Sequence, residues 1–307
     1  MRIGAGDWRR KGLTGMAHSA KMAEWPGQSG AILALDTSTA ALAAAVVRDG
    51  EVLAEVQSLA ERNHSVQSVP QVKQLIASAG VAPESLAAIA VGRGPGSYTG
   101  MRIAVTVGKT LSWVWKVPLV GVSSLEALAC GSFRATGSDA GGNEGARASG
   151  MPGKPEWIVP LMDARRGQVY TALFQAEGDA DARSGAADAV AADRGWIRKT
   201  DDGIRPMHDW VEELAEWAKR SDSPPAAIRF TGDLSLHEAE AERLGVLLAE
   251  SGILAVKSPQ VMEGRAIAWL GARRLLRGET DAPHTFVPNY TQLAEAEVKL
   301  LAKRQGE

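Results

Sequence analysis

The chain has 307 residues, of which 45% are hydrophobic and 23% charged, and its formal net charge is −2. This length allows two domains or two lobes, and the composition is typical of a folded globular protein. A nearly neutral chain has no overall positive field to attract nucleic acid, so any such contact should be local or made by a partner. The single cysteine, Cys130, excludes an intramolecular disulfide, and no apolar stretch reaches 18 residues. Both observations favour a cytoplasmic location without a membrane span.

The predicted domain boundaries follow from changes in composition. Residues 1–29 show no strand or helix periodicity and no signal-peptide core, so we expect a flexible arm, or a start assigned too early with Met16 or Met22 as alternatives. Segments rich in Gly, Ala, Ser or Asp predict disordered insertions at 131–155 and 177–193. The first lobe is then predicted at 30–130 and the second at 156–307, with a C-terminal segment that returns to the first.

Three strands are predicted at the start of the first lobe. An apolar run, Ala31–Leu35, ends in a polar turn, and a second apolar run follows it. Asp49-Gly50 then separates this second run from a third. Because this dipeptide suits a tight hairpin turn, the second and third strands should be antiparallel.

Helices and strands alternate in the rest of the first lobe. Apolar residues recur at spacings of three and four, and Ser123 with Glu126 predicts a capping box. The predicted elements are helices over 65–79 and 101–115, strands over 87–91 and 119–122, and a helix after residue 123. This order predicts a mostly parallel sheet covered by helices.

The second half begins with a similar pattern. A predicted strand, Trp157–Met162, ends at Asp163, as the first strand of the chain ends at Asp36, and another strand follows within a few residues. This weak repetition suggests two related lobes. The remaining predicted elements are strands over 168–174, 227–231 and 253–256, helices around 210–217, 239–250 and 266–276, and a short charged helix over 295–304.

The glycine-rich segment GRGPGSYTGMRI, Gly92–Ile103, lies between a predicted strand and a predicted helix. Backbone amides at such a position can bind an anion, and a tight turn with a purely structural role explains the glycines equally well. The segment matches neither the GxxxxGK[ST] phosphate loop nor the GxGxxG dinucleotide fingerprint. Both explanations therefore remain open at this point.

Five motifs in order give a family resemblance. LALDTSTAALAAAVV, GRGPGSYTGMRI, PLVGVSSLEALA, MDARRGQVYTALF and a late PNY occur in the order and spacing of the TsaB family, densely over 31–174 and thinly beyond. The resemblance implies an α/β, actin-like (ASKHA, ribonuclease H-like) two-lobed fold. It also implies pairing with TsaD, the catalytic paralogue that makes threonylcarbamoyladenosine on tRNA.

A metal site is not expected. In the catalytic family that the chain resembles, two histidines spaced H-x-x-x-H on one helix hold a metal, whereas the corresponding helix here, Ser124–Cys130, has none. The five histidines are scattered and form no i, i+4 pair.

Nucleotide binding remains an alternative for the loops. Asp36 and Asp163 could hold a magnesium-bound water or cap their turns, and Arg165 and Arg166 could contact phosphate or RNA or lie in a solvated turn. The resemblance leaves room for ATP or ADP with magnesium at an interface shared with TsaD. The candidate loop residues, for nucleotide or partner, are Asp36, Thr37, Arg93, Gly94, Pro95, Gly96, Ser97, Tyr98, Thr99, Gly100, Asp163 and Arg165.

The predicted function is that of a non-catalytic scaffold that binds and activates TsaD for modification of adenosine 37 of tRNA. The resemblance implies no catalytic residue, TsaE as a further partner, a homodimer when alone and contact with tRNA only through the complex. The alternatives are an autonomous actin-like ATPase or sugar kinase, or a glycoprotease-like metallopeptidase. Apolar residues on two helices either pack inside the lobe or bind the partner: Val66, Val69, Val72, Ile76, Val105, Leu111, Val114 and Trp115.

Overall fold

The computed structural model describes residues 30–59, 64–135, 154–177 and 195–291. The predicted N-terminal arm, most of both predicted insertions and the predicted charged C-terminal helix lie outside these ranges. The first half has the elements β1 (Ala31–Asp36), β2 (Leu42–Arg48), β3 (Glu51–Ser58), α1 (His64–Ala79), β4 (Leu86–Gly92), α2 (Tyr98–Trp115), β5 (Leu119–Val122) and α3 (Ser124–Ala135). The second half has β6 (Glu156–Asp163), β7 (Gln168–Thr171), β8 (Phe174–Ala176), β9 (Trp196–Arg198), β10 (Gly203–Pro206), α4 (Met207–Arg220), β11 (Ala227–Gly232), α5 (Glu238–Leu248), β12 (Leu254–Pro259) and α6 (Gly264–Leu276).

The two halves repeat one order of elements. In each, an antiparallel set of strands is followed by a helix, a parallel strand, a helix, a parallel strand and a helix. The first sheet has the order β3-β2-β1-β4-β5, and the second has β10-β7-β6-β11-β12, with β8 and β9 added beside β6. The repetition suggested by Asp36 and Asp163 therefore extends over whole lobes.

Local sequence explains the hairpin between β2 and β3. Asp49 and Gly50 adopt φ angles of 49° and 77°, the left-handed pair that a two-residue turn between twisted strands requires. Every residue of β1 is buried, as expected for a central strand covered on both faces. These predictions are confirmed.

Five layers build the molecule. Helices α1 and α2 cover the outer face of the first sheet, and α4 and α5 cover the outer face of the second. Between the sheets lie α3 and α6 in a third core. Helix α6 packs on β1, β2 and β4, whereas α3 packs on β6, β8 and β11. Each half therefore places its last helix on the sheet of the other half. The predicted division into lobes at 30–130 and 156–307 does not include this exchange of helices.

Three details correct the predicted elements. Helix α3 continues to Ala135, so the predicted insertion at 131–155 does not begin at 131, and Gly131 lies buried where a Cβ would meet Gln260. The strand predicted over 168–174 is interrupted after Thr171, and the short strands β9 and β10 were not predicted. The capping box is half formed: the Glu126 amide donates to Ser123 Oγ at 3.2 Å. The Glu126 carboxylate instead accepts from Arg198.

Candidate functional site

Asp36, at the end of β1, is fully enclosed by hydrogen-bond donors of the protein. Its Oδ1 accepts from the Ser38 amide at 2.6 Å and the Ser38 hydroxyl at 2.7 Å, and its Oδ2 accepts from the Ser124 hydroxyl at 2.5 Å. Burial raises the pKa of Asp36, against the opposing effect of these hydrogen bonds. The carboxyl group therefore fastens the β1–β2 turn to the start of α3.

Thr37 joins the same turn to α2. Its hydroxyl donates to the Gly100 carbonyl oxygen at 2.6 Å and accepts from the Ala104 amide at 3.1 Å. The Ser97 amide donates to the Ser38 carbonyl oxygen at 2.8 Å. Thr37 is therefore bonded between the Gly100 carbonyl and the Ala104 amide of α2, while Ser97 caps the start of the helix by accepting from the Gly100 amide at 3.3 Å.

The glycines of the loop permit this close approach. A Cβ at Gly92 would lie 1.7 Å from Asp36 Oδ2, and one at Gly100 would lie 1.9 Å from the Thr37 carbonyl oxygen. At Gly96 the corresponding distance to the Ser38 carbonyl oxygen is 2.4 Å. Direct backbone packing accounts for these glycines, which favours the structural explanation of the motif.

The remaining candidate residues of the loop separate into two groups. Gly94 and Pro95 are buried with the packed glycines. Arg93, Ser97, Tyr98 and Thr99 are exposed, and Arg93 also lines the cleft between the lobes. Only this second group is available to another molecule.

The turn after β6 is open. Asp163 Oδ1 accepts from the Arg165 amide at 3.0 Å and lies 3.6 Å from His237 Nε2. Arg165 and Arg166 are exposed and adopt left-handed φ angles of 68° and 54°, which cost about 1–2 kcal/mol per non-glycine residue. Asp163 and Arg165 therefore lie in an accessible turn, whereas Asp36 does not.

A cleft of about 600 Å³ lies between the lobes, at the ends of α3 and α6. Arg198 crosses it, with N···O distances of 2.7 Å to Glu126 and 2.6 Å to Asp202. The Asn289 amide group donates to Asp202 at 3.2 Å. These contacts between opposite charges make the cleft polar and hold the lobes together.

The surface of α1 and α2 carries exposed apolar side chains. Val66, Val69, Trp113 and Val114 are each more than half exposed. Sequence periodicity did not single out Trp113, because its helical position only becomes informative once the buried face is known. Leu111 and Trp115 are partly buried against the outer core.

The structure corrects part of the predicted partner surface. Val72, Ile76 and Val105 are almost completely buried between the helices and the first sheet. Their apolar spacing reflects core packing, so they are unavailable to a partner in the folded chain.

Reactive groups in the described part of the chain are few. Within residues 30–59, 64–135, 154–177 and 195–291, no cluster of three or more His, Cys, Asp or Glu side chains could hold a metal ion. Burial raises the pKa of the Cys130 thiol to about 12, so it stays protonated at neutral pH.

No described helix is long and apolar enough to cross a bilayer.

Comparison with known proteins places this fold. A tRNA threonylcarbamoyladenosine biosynthesis protein TsaB from Bacillus subtilis is 35% identical over 275 residues, which cover 89% of this chain and 99% of that protein. The chain belongs to the TsaB family. The family model of TsaD, tRNA N6-adenosine threonylcarbamoyltransferase, also matches residues 53–300 of this chain.

Further relatives agree with this placement. A TsaB protein from Escherichia coli is 33% identical over 47% of this chain and 54% of its own length. The solved structure of YeaZ from Pseudomonas aeruginosa superposes with a TM-score of 0.57 at 24% identity, covering 85% of this chain and 99% of that one. The actin-like two-lobed fold predicted from the sequence is confirmed.

Proposed function

We propose that this chain is the non-catalytic subunit of a complex that makes threonylcarbamoyladenosine at position 37 of tRNA, and that it binds and activates a TsaD-type enzyme. The names of its relatives support the pathway. The match to the TsaD family model supports a partner of similar fold.

The chemistry of the loops supports an accessory role. The Asp36 carboxylate accepts three hydrogen bonds from the protein itself, and the Thr37 hydroxyl is bonded to Gly100 and Ala104 of α2. An autonomous kinase would need an accessible carboxylate and two open phosphate loops. ATP or ADP with magnesium then belongs at the interface with TsaD, where the partner supplies the missing groups.

The single observation that carries the proposal is the apolar surface of α1 and α2. Val66 and Val69 on α1 and Trp113 and Val114 on α2 are exposed, although the two helices already cover the sheet beneath them. Several large apolar side chains left exposed on two neighbouring helices are typical of protein interaction surfaces. We place the TsaD interface here, with the same surface forming a two-fold homodimer in the absence of TsaD. TsaE and tRNA then join the assembled complex.

Charge substitution on this surface tests the proposal. Val69→Glu and Trp113→Glu should each weaken binding to TsaD by at least about tenfold, because an interface core tolerates unpaired charge poorly. Val246→Glu on α5 is the matched control, since this valine is also exposed but lies on the other lobe. Binding is measured by pull-down and light scattering, and modification by adenosine analysis of tRNA.

Two outcomes would contradict the proposal. Unchanged TsaD affinity in both folded interface variants would place the interface elsewhere. Threonylcarbamoyl transfer, ATP hydrolysis or proteolysis by the purified chain, with TsaD excluded by mass spectrometry, would favour an autonomous enzyme.

A further inference from the structure

An exposed aromatic pair lies beside the glycine loop. The rings of Tyr98, at the start of α2, and Tyr290, near the end of the described chain, have centroids 5.4 Å apart at an angle of 35°. Tyr98 is 51% exposed and Tyr290 is 44% exposed, so the pair contributes little to any core. Two segments nearly two hundred residues apart in sequence thus present a shared aromatic face to solvent.

The backbone holds this pair in place. The Asn289 amide donates to the Arg93 carbonyl oxygen at 2.7 Å, and the Asn289 side chain donates to Asp202 at 3.2 Å. Both bonds attach the segment before Tyr290 to the glycine loop and to the second lobe. The aromatic face is therefore pre-organised, which lowers the entropic cost of binding a ligand.

One arginine lies against the aromatic face. The Arg102 guanidinium lies 5.2 Å from the centroid of the Tyr98 ring, and its Nη1 donates to the Tyr98 hydroxyl at 3.4 Å. Arg93, on the neighbouring loop, instead lines the cleft between the lobes, where its Cδ lies beside Gly121. Among the residues that the structure describes, the Arg102 guanidinium has no ion-pair partner, so its charge is available to an anion at the aromatic face.

Aromatic rings combined with unpaired guanidinium groups suit one class of ligand. Unpaired nucleotides stack their bases on tyrosine rings and guanidinium planes, while arginines contact the phosphates. A protein partner would also accept tyrosine and arginine, but a guanidinium without an acidic partner beside the rings favours an anionic ligand with aromatic bases. The small net charge of the chain agrees with a local contact rather than a long-range attraction.

We propose that Tyr98 and Tyr290 form a platform on which an unpaired base of the tRNA substrate stacks, while Arg102 contacts an adjacent phosphate. This inference rests on the proposed function, because the tRNA is brought to the chain in the complex with TsaD. It adds a direct RNA contact by this subunit to the scaffold role.

The test uses variants that preserve the fold. Tyr98→Leu and Tyr290→Leu keep apolar bulk but remove the aromatic face, and Arg102→Gln removes one cation. Arg220→Gln is the control, since Arg220 is an exposed arginine on α4 of the other lobe. Binding of tRNA to the chain–TsaD complex is measured by fluorescence anisotropy over a salt series, and binding of a 4-thiouridine-labelled 12-nucleotide RNA to the chain alone is measured by photocrosslinking.

The expected result is specific to the platform. Each tyrosine variant should weaken tRNA binding by about fivefold to tenfold, consistent with loss of one stacked base. Arg102→Gln should lower the slope of log affinity against log salt by about one. Crosslinks from the chain alone should fall in the tyrosine variants, and the control should match the unmodified protein.

The outcomes separate this inference from the proposed function. Unchanged tRNA affinity and unchanged crosslinking in the tyrosine variants would overturn the platform while TsaD binding stands. Loss of TsaD binding in these variants, with crosslinking unchanged, would identify the patch as a protein contact instead. If the unmodified chain fails to bind TsaD, the proposed function is wrong. Photocrosslinking of RNA to the isolated chain and to its tyrosine variants then still tests whether a base stacks on Tyr98 and Tyr290.

Discussion

The two lobes share an order of elements but differ at the turn that follows their first strand. In the first lobe the turn is closed: Asp36, Thr37 and Ser38 are buried under the glycine loop. In the second lobe the corresponding turn is open, with Arg165 and Arg166 exposed. The comparison teaches that a repeated framework of strands does not preserve the surroundings of a turn, and those surroundings decide whether a ligand can reach it.

The connections after β4 and β11 explain the difference. After β4 the chain makes a glycine-rich loop whose backbone lies directly on the first turn. After β11 only Gly232 makes such an approach, where a Cβ would lie 2.3 Å from the Leu161 carbonyl oxygen. The residues that follow turn on themselves, since Asp233 accepts from the Ser235 amide and hydroxyl. The second turn therefore stays uncovered.

The largest expected effect comes from adding one methyl group to each lobe's turn region. Gly100→Ala should cost about 3 kcal/mol or more of unfolding free energy, because the new Cβ would lie 1.9 Å from a backbone oxygen that cannot move freely. Gly167→Ala should cost only about 1–2 kcal/mol, since its φ of 72° is left-handed but nothing lies within 4 Å. Urea denaturation measures both, and equal losses would contradict the closed-versus-open comparison.

The two aspartates provide the next comparison. Asp36→Ala should lower the unfolding free energy by about 2–3 kcal/mol, because three buried donors lose their acceptor. Asp163→Ala should lower it by about 1 kcal/mol or less, since Asp163 is partly exposed and accepts one turn amide.

Asp36→Asn should retain threonylcarbamoyladenosine synthesis in the complex if Asp36 is structural. Loss of synthesis in a stable Asn variant would indicate magnesium or nucleotide at this turn.

The pH dependence of stability gives a smaller effect. Burial raises the pKa of Asp36, so the folded state binds more protons than the unfolded state between the ordinary carboxyl pKa and the raised one. The contribution of Asp36 to stability is therefore fully present below the ordinary value and declines as pH rises through this window. The unfolding free energy is measured as a function of pH for the unmodified chain and for Asp36→Asn. The difference between the two should decrease as pH rises through this window, and a difference that increases would contradict the prediction.

The smallest expected effect concerns strain in the open turn. Arg165→Gly and Arg166→Gly should each raise the unfolding free energy by up to about 1 kcal/mol, because glycine adopts left-handed φ without a steric penalty. Lys73→Gly, at an exposed position in the middle of helix α1, should instead lower it by about 1 kcal/mol. A loss of stability in the turn variants, measured by thermal denaturation against this control, would show that the arginine side chains hold the turn.

Prediction from sequence succeeded where local chemistry was sufficient. The hairpin at Asp49-Gly50 follows from a turn that only a few residues can adopt, and the buried strand β1 follows from a continuous apolar run. Prediction failed for Val72, which lies three residues from the exposed Val69 on the same helix. Both are apolar, and only the position of the sheet determines which of them is buried.

The sequence by itself determined the family, the order of most strands and helices, and the repetition of the two halves, because these properties depend on residues close together in the chain. Only the tertiary structure decided that the glycines pack on Asp36, Thr37 and Ser38, that α3 and α6 cover each other's sheets, and that Tyr98 meets Tyr290. Each of these contacts joins segments far apart in the chain. These contacts form only when the layers of helices and sheets stack on one another. The spacing and composition of residues within one segment do not determine how the layers stack.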